Sequence, residues 1–302
     1  MTRRPALARG RLVPESGPER RGPTEKPACC PVAACLSGAS MRRRDRVRRV
    51  TVGAVLLGSL FLAPIAAQQG GAPQAGPPPT PRAAAPIDLT GNWVSLVTNE
   101  WRWRMLTPPK GEYDVIPLNA AARKVADAWD PARDEAEGVQ CRSYGAAVIM
   151  QVPGRLRIAW ADDSTLRVET DAGQQTRLFR FGRPQPPGEA TWQGHSVAEW
   201  VPARGQAREV NAEPRPARTG TLKVVTRGMR PGYLRRNGVP YGSDAVVTEY
   251  FTPFTGAGGT RYFNVQVVVE DPQYLTDVYV RSMQFRSEPD GSKWNPQPCA
   301  VR

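Results

Sequence analysis

The sequence is poor in the residues on which most metal and nucleophilic sites depend. It holds one histidine, His195, and five cysteines among 302 residues. Zinc sites usually combine several histidine and thiolate ligands, and only two cysteines lie beyond residue 67. The sequence also lacks a Gly-x-Ser-x-Gly elbow and a glycine-rich phosphate loop before a helix. We therefore predict no metal site and no cofactor.

Most of the chain also lacks a strong excess of positive charge. Residues 1–67 contain 13 Lys and Arg against 4 Asp and Glu, whereas the remaining residues contain 28 against 24. A nucleic-acid-binding protein needs a concentrated basic face. We therefore predict no nucleic-acid partner, and we expect the pair Arg235 and Arg236 to be solvated turn residues.

No apolar run reaches the roughly 20 residues that a membrane-spanning helix needs. The longest run, 50–64, follows Met41 and an arginine-rich stretch, and small residues up to Ala67 come after it. This pattern is typical of a secretion signal. We predict a signal peptide over 41–67, cleaved after Ala67, and an exported protein, periplasmic or extracellular. It would meet the membrane only if that segment stayed uncleaved. Because a signal must lie near the chain start, residues 1–40 are predicted to be a mis-assigned start.

Beyond the signal, the remaining cysteines are Cys141 and Cys299. Two cysteines in an oxidising compartment usually pair. We predict a disulfide between them that ties the C-terminal tail onto the domain, with two free thiols as the alternative.

The rest of the chain divides into a linker and one domain. Residues 68–86 are rich in Gln, Gly, Ala and Pro, which predicts a disordered linker. From residue 87 to 302 the dominant hydrophobic period is two, as in antiparallel strands with one buried face. The predicted strands cover 89–95, 155–160, 166–169, 176–181, 197–201, 221–226, 245–251, 262–270 and 277–285.

One short helix is predicted over 120–129, with Asn119 as its N-cap and the pair Asp130-Pro131 as its end. About nine strands joined mostly as hairpins favour a single antiparallel up-and-down β-barrel, because closure removes exposed sheet edges. The fold class is therefore all-β, with a disordered leader and linker. The oligomeric state does not follow from the sequence.

Two groups of residues carry a resemblance to known proteins. Gly91-x-Trp93 at the start of the first strand resembles the lipocalin and wider calycin pattern. That resemblance implies a tryptophan that closes the barrel floor beside a basic residue near the last strand, for which Arg281 is the first candidate and Arg286 the second. Five longer segments are similar to a group of uncharacterised exported bacterial proteins, and they imply an exported β-rich domain without assigning an activity. These segments are 101–105, 230–234, 237–241, 270–275 and 288–294.

The leading function hypothesis is non-catalytic binding of a small apolar or aromatic molecule inside the barrel. Aromatic side chains supply large contact areas for such ligands. We expect Trp101 and Trp103 to share one face of an extended segment, with the neighbouring arginines on the other. The predicted ligand-binding residues are Trp93, Trp101, Trp103, Arg281 and Tyr274.

Two other hypotheses remain open. A periplasmic enzyme would use inward Glu249 and Asp271 with His195 as acid and base groups, which requires the three side chains to converge. An inward Glu249 needs a partner, and Arg281 or Tyr274 is expected to supply it. As the single histidine, His195 is otherwise a surface residue or an axial haem ligand. A structural or envelope-interaction protein would instead show a large exposed apolar patch.

Overall fold

A computed structural model describes residues 77–183, 188–203 and 219–301. The predicted mis-assigned start, the signal peptide and residues 68–76 of the predicted linker lie outside the described residues. Part of the described linker segment contacts the domain: the indole N–H of Trp200 donates to the Pro81 carbonyl oxygen at 2.8 Å, and the Arg82 N–H donates to the Asp163 carbonyl oxygen at 3.0 Å. The described domain therefore begins before the predicted start at residue 87.

Within these ranges the chain forms eleven β-strands and three α-helices. The strands are β1 Gly91–Leu96, β2 Arg155–Trp160, β3 Thr165–Thr170, β4 Thr176–Phe181, β5 His195–Pro202, β6 Gly220–Arg227, β7 Gly232–Arg235, β8 Val239–Tyr241, β9 Val246–Thr255, β10 Arg261–Glu270 and β11 Tyr279–Glu288. The helices are α1 Trp101–Met105, α2 Ala120–Asp127 and α3 Pro131–Ala136, and short 3₁₀ turns lie at Gln140–Tyr144, Ile149–Gln151 and Ala257–Gly259. None of the helices in the described part of the chain has the length and apolar character to cross a bilayer.

Nine of the described strands close into a barrel in the order β1-β2-β3-β4-β5-β6-β9-β10-β11, and β11 pairs with β1. The predicted closed, mostly β architecture is confirmed. The prediction that every neighbouring pair is antiparallel was wrong. β4 and β5 pair in parallel, with Phe179 opposite Ser196. The reason is geometric: an odd number of strands cannot close into a ring in which every neighbouring pair is antiparallel.

The barrel interior is filled by side chains. The inward residues of β10 include Phe263 and Val265, as their alternation predicts, and both are fully buried. Phe263 stacks on Phe285 with ring centroids 4.8 Å apart, and Phe251 lies 5.9 Å from Phe263 and 5.5 Å from Phe179. These four phenylalanines contact one another across the lumen and form its apolar core.

One end of the barrel, called the covered end below, carries the longer connections. The segments 97–154, 228–245 and 271–278 all leave the barrel there. They pack on one another: the Asn119 backbone N–H donates to the Tyr274 carbonyl oxygen, and the Asn119 side chain accepts from the Ala122 N–H. The predicted N-cap of α2 is thus confirmed.

The sequence reading missed two of the three helices. Residues 101–105 alternate Trp and Arg as a strand would, but they form α1. The helix predicted to end at Asp130-Pro131 ends at Asp127. The pair begins the next helix instead, because the Asp130 side chain accepts from the Ala132 N–H and caps α3. Proline is tolerated in the first helical turn, where its missing N–H would have no helical partner.

The strands β7 and β8 form a separate hairpin on the covered end. Gly238 in its turn has φ of 81°, and a side chain there would collide with the Trp129 ring. A glycine satisfies both constraints at once, since it has no Cβ. The Asn237-Gly238 pair therefore forms the tight turn between β7 and β8.

The predicted disulfide between Cys141 and Cys299 is confirmed. It fixes the C-terminal tail, which also contacts the barrel where the Gln297 N–H donates to the Asp171 carbonyl oxygen at 2.8 Å. Earlier in the tail, the Trp294 ring lies under the Arg157 guanidinium, which is 4.3 Å from the ring centroid. The tail is thus held by a covalent bond and by contacts along the barrel wall.

Replacing both Cys141 and Cys299 with serine is expected to lower the free energy of unfolding by about 2–5 kcal/mol, because the bond constrains the unfolded chain. Urea unfolding followed by tryptophan fluorescence measures this. A reducing agent should shift the transition of the wild-type protein and leave that of the variant unchanged. An equal shift of both proteins would show that the effect does not come from this bond.

Candidate functional site

Glu249 points into the barrel, as the sequence predicts, but its partner is a residue that the sequence reading did not name. Arg177, on β4, donates to both carboxylate oxygens of Glu249, at 2.8 and 2.5 Å. Both side chains have no solvent exposure. The expected partners Arg281 and Tyr274 were wrong. The barrel order places β4, which carries Arg177, across the lumen from β9, whereas Arg281 is at the start of β11 and Tyr274 lies in the connection before it.

The Arg177–Glu249 pair belongs to a small polar network. Arg177 Nη2 lies 3.2 Å from Thr226 Oγ1, which in turn lies 2.8 Å from Ser196 Oγ. The Arg177 guanidinium also lies over the Phe179 ring at 4.8 Å. A carboxylate held by two charge-assisted bonds and packed among phenylalanines satisfies the charge of Arg177.

The other proposed acid and base groups lie elsewhere. His195 begins β5, and its Nε2 lies 3.2 Å from the Glu189 carbonyl oxygen. Asp271 follows β10 and accepts from the N–H groups of Gly242 and Gln273, at 2.8 and 3.0 Å. The described hydrogen bonds do not bring His195, Glu249 and Asp271 together, because each side chain is engaged by different neighbours.

Trp93 is buried and lies beside a basic residue, but that residue is not Arg281. Its indole N–H donates to the Leu89 carbonyl oxygen at 2.9 Å, and its ring meets Phe263 edge-on at 4.8 Å. Arg261, the first residue of β10, lies over the Trp93 ring at 5.2 Å. Neither Arg281 nor Arg286 takes this place. Trp93 lies opposite Ser287, far along β11 from Arg281, and the neighbouring Arg286 is exposed on the outer face.

The remaining predicted ligand-binding residues lie in different places, and only two of them are near a pocket. Trp101 is 61% exposed on the outer side of α1, and the expected shared face with Trp103 was wrong because the segment is helical. Tyr274 packs on the core from the 271–278 connection. Trp103 and Arg281 both lie at the covered end, in the surroundings of one pocket.

This pocket combines apolar walls with several arginines. Its cavity volume is about 20 Å³, enough for one water or a few ligand atoms. Some of its residues are only partly buried, among them Glu100, Trp103 and Arg236, so the pocket reaches solvent. The lining residues are Glu100, Trp103, Arg104, Ser143, Val148, Gln151, Val152, Leu234, Arg235, Arg236 and Tyr279.

Arg104 reaches the pocket from α1 and is only 4% exposed. Its Nε donates to the Gln151 carbonyl oxygen and its Nη1 to the Leu96 carbonyl oxygen, both at 2.9 Å. A longer contact of 3.5 Å joins Nη1 to Asn99 Oδ1. All three acceptors are neutral, so no carboxylate hydrogen-bonds to this buried guanidinium.

Arg235 approaches the pocket from β7 and is also 4% exposed. It donates to the carbonyl oxygens of Glu112 and Asp114, both at 3.1 Å, and lies over the Trp103 ring at 4.6 Å. The expectation that Arg235 is a solvated turn residue was wrong. β7 turns its side chain inward, where the backbone of 112–114 and the Trp103 ring surround it.

Arg281 completes what we call the arginine cluster, defined as Arg104, Arg235 and Arg281. Its Nε lies 3.1 Å from Glu100 Oε2, and its guanidinium lies over the Tyr279 ring at 4.2 Å. The Arg281 Nε and Nη2 atoms are buried and make no aligned hydrogen bond. The contact with Glu100 is therefore an ion pair without a directed N–H bond.

The charges around the cluster do not balance. The Glu112 carboxylate acts on Arg235 through its Coulomb field, but its direct partners are Arg102 at 3.1 Å and the Trp103 indole N–H at 2.8 Å. This leaves the carboxylate of Glu100 facing the three guanidiniums of the cluster. Burial lowers the pKa of Arg104, and the Coulomb field of Glu100 partly opposes that shift. Burial lowers the pKa of Arg235 as well.

Two buried donors in the pocket wall have no partner. They are Nη2 of Arg104 and Nε2 of Gln151. Gln151 belongs to a 3₁₀ turn, and its other amide atom, Oε1, accepts from the Tyr279 hydroxyl at 3.5 Å. Buried donors of native proteins are normally paired, so these two N–H groups have unused donor capacity.

A larger groove lies at the opposite end of the barrel. It has a cavity volume of about 470 Å³ and is lined by Trp160 and by Arg82, residues 85–88 and Thr90. None of the unpartnered buried atoms in the described residues belongs to that groove. The described residues also contain no group of three or more His, Cys, Asp or Glu side chains arranged to hold a metal ion.

The sequence did not point to Gln151; it placed Arg104 on the face opposite Trp101 and Trp103, and it predicted Arg235 to be a solvated turn residue. The available signal was the pairing of Trp with Arg in 101–105 and the segment before Arg235, both already singled out by the resemblance. Comparison with known protein families, with curated proteins and with solved structures finds no match to this chain.

Replacing Glu249 with glutamine is expected to lower the free energy of unfolding by about 3 kcal/mol, because it leaves the Arg177 charge buried without compensation. Glu199→Gln is the matched control, since Glu199 pairs with Lys223 on the outer surface and such pairs contribute within about 1 kcal/mol. The double variant Arg177→Met with Glu249→Leu should recover most of the loss. Urea unfolding measures all three variants. Equal effects of the two glutamine substitutions would contradict this reading of the pair.

Proposed function

We propose that this protein is an exported, non-catalytic binding protein with a lipocalin-like barrel, whose ligand places a negatively charged group against the arginine cluster. One observation carries the proposal. Arg104 and Arg235 are each 4% exposed, yet their hydrogen-bond acceptors are carbonyl and amide oxygens, not carboxylates.

Burying two guanidiniums without a carboxylate partner costs the ligand-free protein folding free energy. A charge removed from water must be paired, or the fold loses several kcal/mol per ion, in order of magnitude. Arg177 shows how this chain compensates a buried guanidinium when no ligand is involved, with a bidentate carboxylate. The arginine cluster lacks that compensation, and an anionic ligand supplies it.

The pocket also bears on the shape of the ligand. A cavity of about 20 Å³ has room for about one water, so a carboxylate or phosphate would place only one or two of its oxygens there. The rest of the molecule must then lie toward solvent. Trp103, Val152 and Leu234 in the lining offer apolar and aromatic contacts to it. This retains the apolar or aromatic ligand expected from the sequence and adds a charged end.

The binding position differs from the lumen position that the sequence suggested. Phe179, Phe251, Phe263 and Phe285 occupy the barrel interior, so we assign the ligand to the covered end. The separation of His195, Glu249 and Asp271 favours binding over acid and base catalysis. Export is supported by the pattern of residues 41–67 and by the disulfide, since disulfides persist mainly in oxidising compartments.

Gln151→Glu tests the proposal directly. The substitution keeps the side-chain shape and places a carboxylate where we expect the ligand's charge. We expect the free energy of unfolding to rise by about 1–3 kcal/mol, the range for hydrogen bonds to charged groups. We also expect the variant to lose binding of benzoate and inorganic phosphate, which isothermal titration calorimetry measures on the wild-type protein.

Gln193→Glu is the matched control, because Gln193 is equally buried and donates to the Tyr144 carbonyl oxygen. A carboxylate there would face acceptors, so this variant should be destabilised. If both variants lose stability, or if the wild-type protein binds neither benzoate nor phosphate, the arginine cluster is not an anion site.

A further inference from the structure

We propose that Glu100 is an internal competitor for the site, a carboxylate that holds Arg281 while the pocket is empty and that the ligand's anionic group displaces. This inference rests on the proposed function and adds to it a control of affinity. Glu100 is the residue immediately before α1, and its side chain lines the pocket together with Arg104 and Arg235.

The backbone of Glu100 is held in an unfavourable conformation. Its φ of 53° lies in the left-handed region, which non-glycine residues rarely adopt. It precedes the helix at the N-cap position, yet its side chain caps no N–H group of α1. The carboxylate is directed instead to Arg281, 3.1 Å away, so the local structure favours contact with the cluster over helix capping.

The ion pair between Glu100 and Arg281 can be replaced by a contact between Arg281 and a ligand. The Glu100 side chain is 23% exposed, so it can turn toward solvent without opening the barrel. The Arg281 Nε makes no aligned hydrogen bond, although charged pairs in good geometry usually do. A ligand that engages the unpartnered Arg104 Nη2 and Gln151 Nε2 gains aligned bonds that Glu100 does not make.

The Glu100 carboxylate and the anionic group of the ligand repel each other. The Coulomb field of Glu100 reaches Arg104 and Arg235 as well as its direct partner Arg281. An incoming anion therefore meets repulsion from the same carboxylate that partly compensates the cluster. Competition of this kind lowers the affinity for the ligand by the free energy that the Glu100 contacts contribute to the empty state.

The test compares Glu100→Gln with the wild-type protein in titrations with benzoate and, separately, inorganic phosphate, followed by calorimetry. Removing the competing charge is expected to tighten binding of both probes by about tenfold, within the range usual for coupled sites. Glu100→Asn is a second variant, because asparagine tolerates a positive φ better than most residues. Thermal unfolding checks that both variants fold.

Glu199→Gln removes the same unit of charge from the outer surface of β5 and serves as the control, since its affinity should equal that of the wild-type protein. Unchanged affinity in both Glu100 variants, with normal binding by the wild-type protein, would overturn the competitor role and leave the proposed function standing. Tighter binding in Glu199→Gln as well would overturn it too, since the effect would then be one of net charge. If the wild-type protein and both Glu100 variants bind neither probe, both proposals fail.

Discussion

The cost of taking a guanidinium out of water is the constraint on which the interior of this barrel depends. Arg177 shows one solution, a carboxylate from the facing strand that accepts two hydrogen bonds. Arg104 and Arg235 are also buried, at 4% exposure each, but they are held by neutral oxygens. The contrast within one small domain separates a structural charge pair from a site with unfilled capacity for negative charge.

Barrel closure explains why the two kinds of arginine lie where they do. Nine described strands close in sequence order with one parallel pair, and their inward phenylalanines fill the lumen. The longer connections then gather at the covered end, where α1, β7 and the start of β11 each contribute one arginine to the cluster. The disulfide at Cys141 and Cys299 anchors the tail to the same set of connections.

Much of the framework was predictable because it depends on local patterns. Period-two alternation located the strands, Asn119 marked the start of α2, and the two cysteines beyond the signal implied their bond. The parallel pair was not predictable in this way, since it follows from the number of strands in the closed ring. The partner of Glu249 and the cluster were missed for a related reason: register and the packing of distant connections set which side chains meet, and 101–105 carries a strand-like alternation although it forms a helix.

The anion position that we propose at the covered end is bounded by Arg104 Nη2 and Gln151 Nε2. A crystal of the wild-type protein soaked in sodium selenate tests this most directly, because the anomalous signal of selenium locates the bound ion. We expect a peak within hydrogen-bond distance of both atoms, with Glu100 turned away from Arg281. An ordered water in that place, with selenate bound only at other surfaces, would contradict the account.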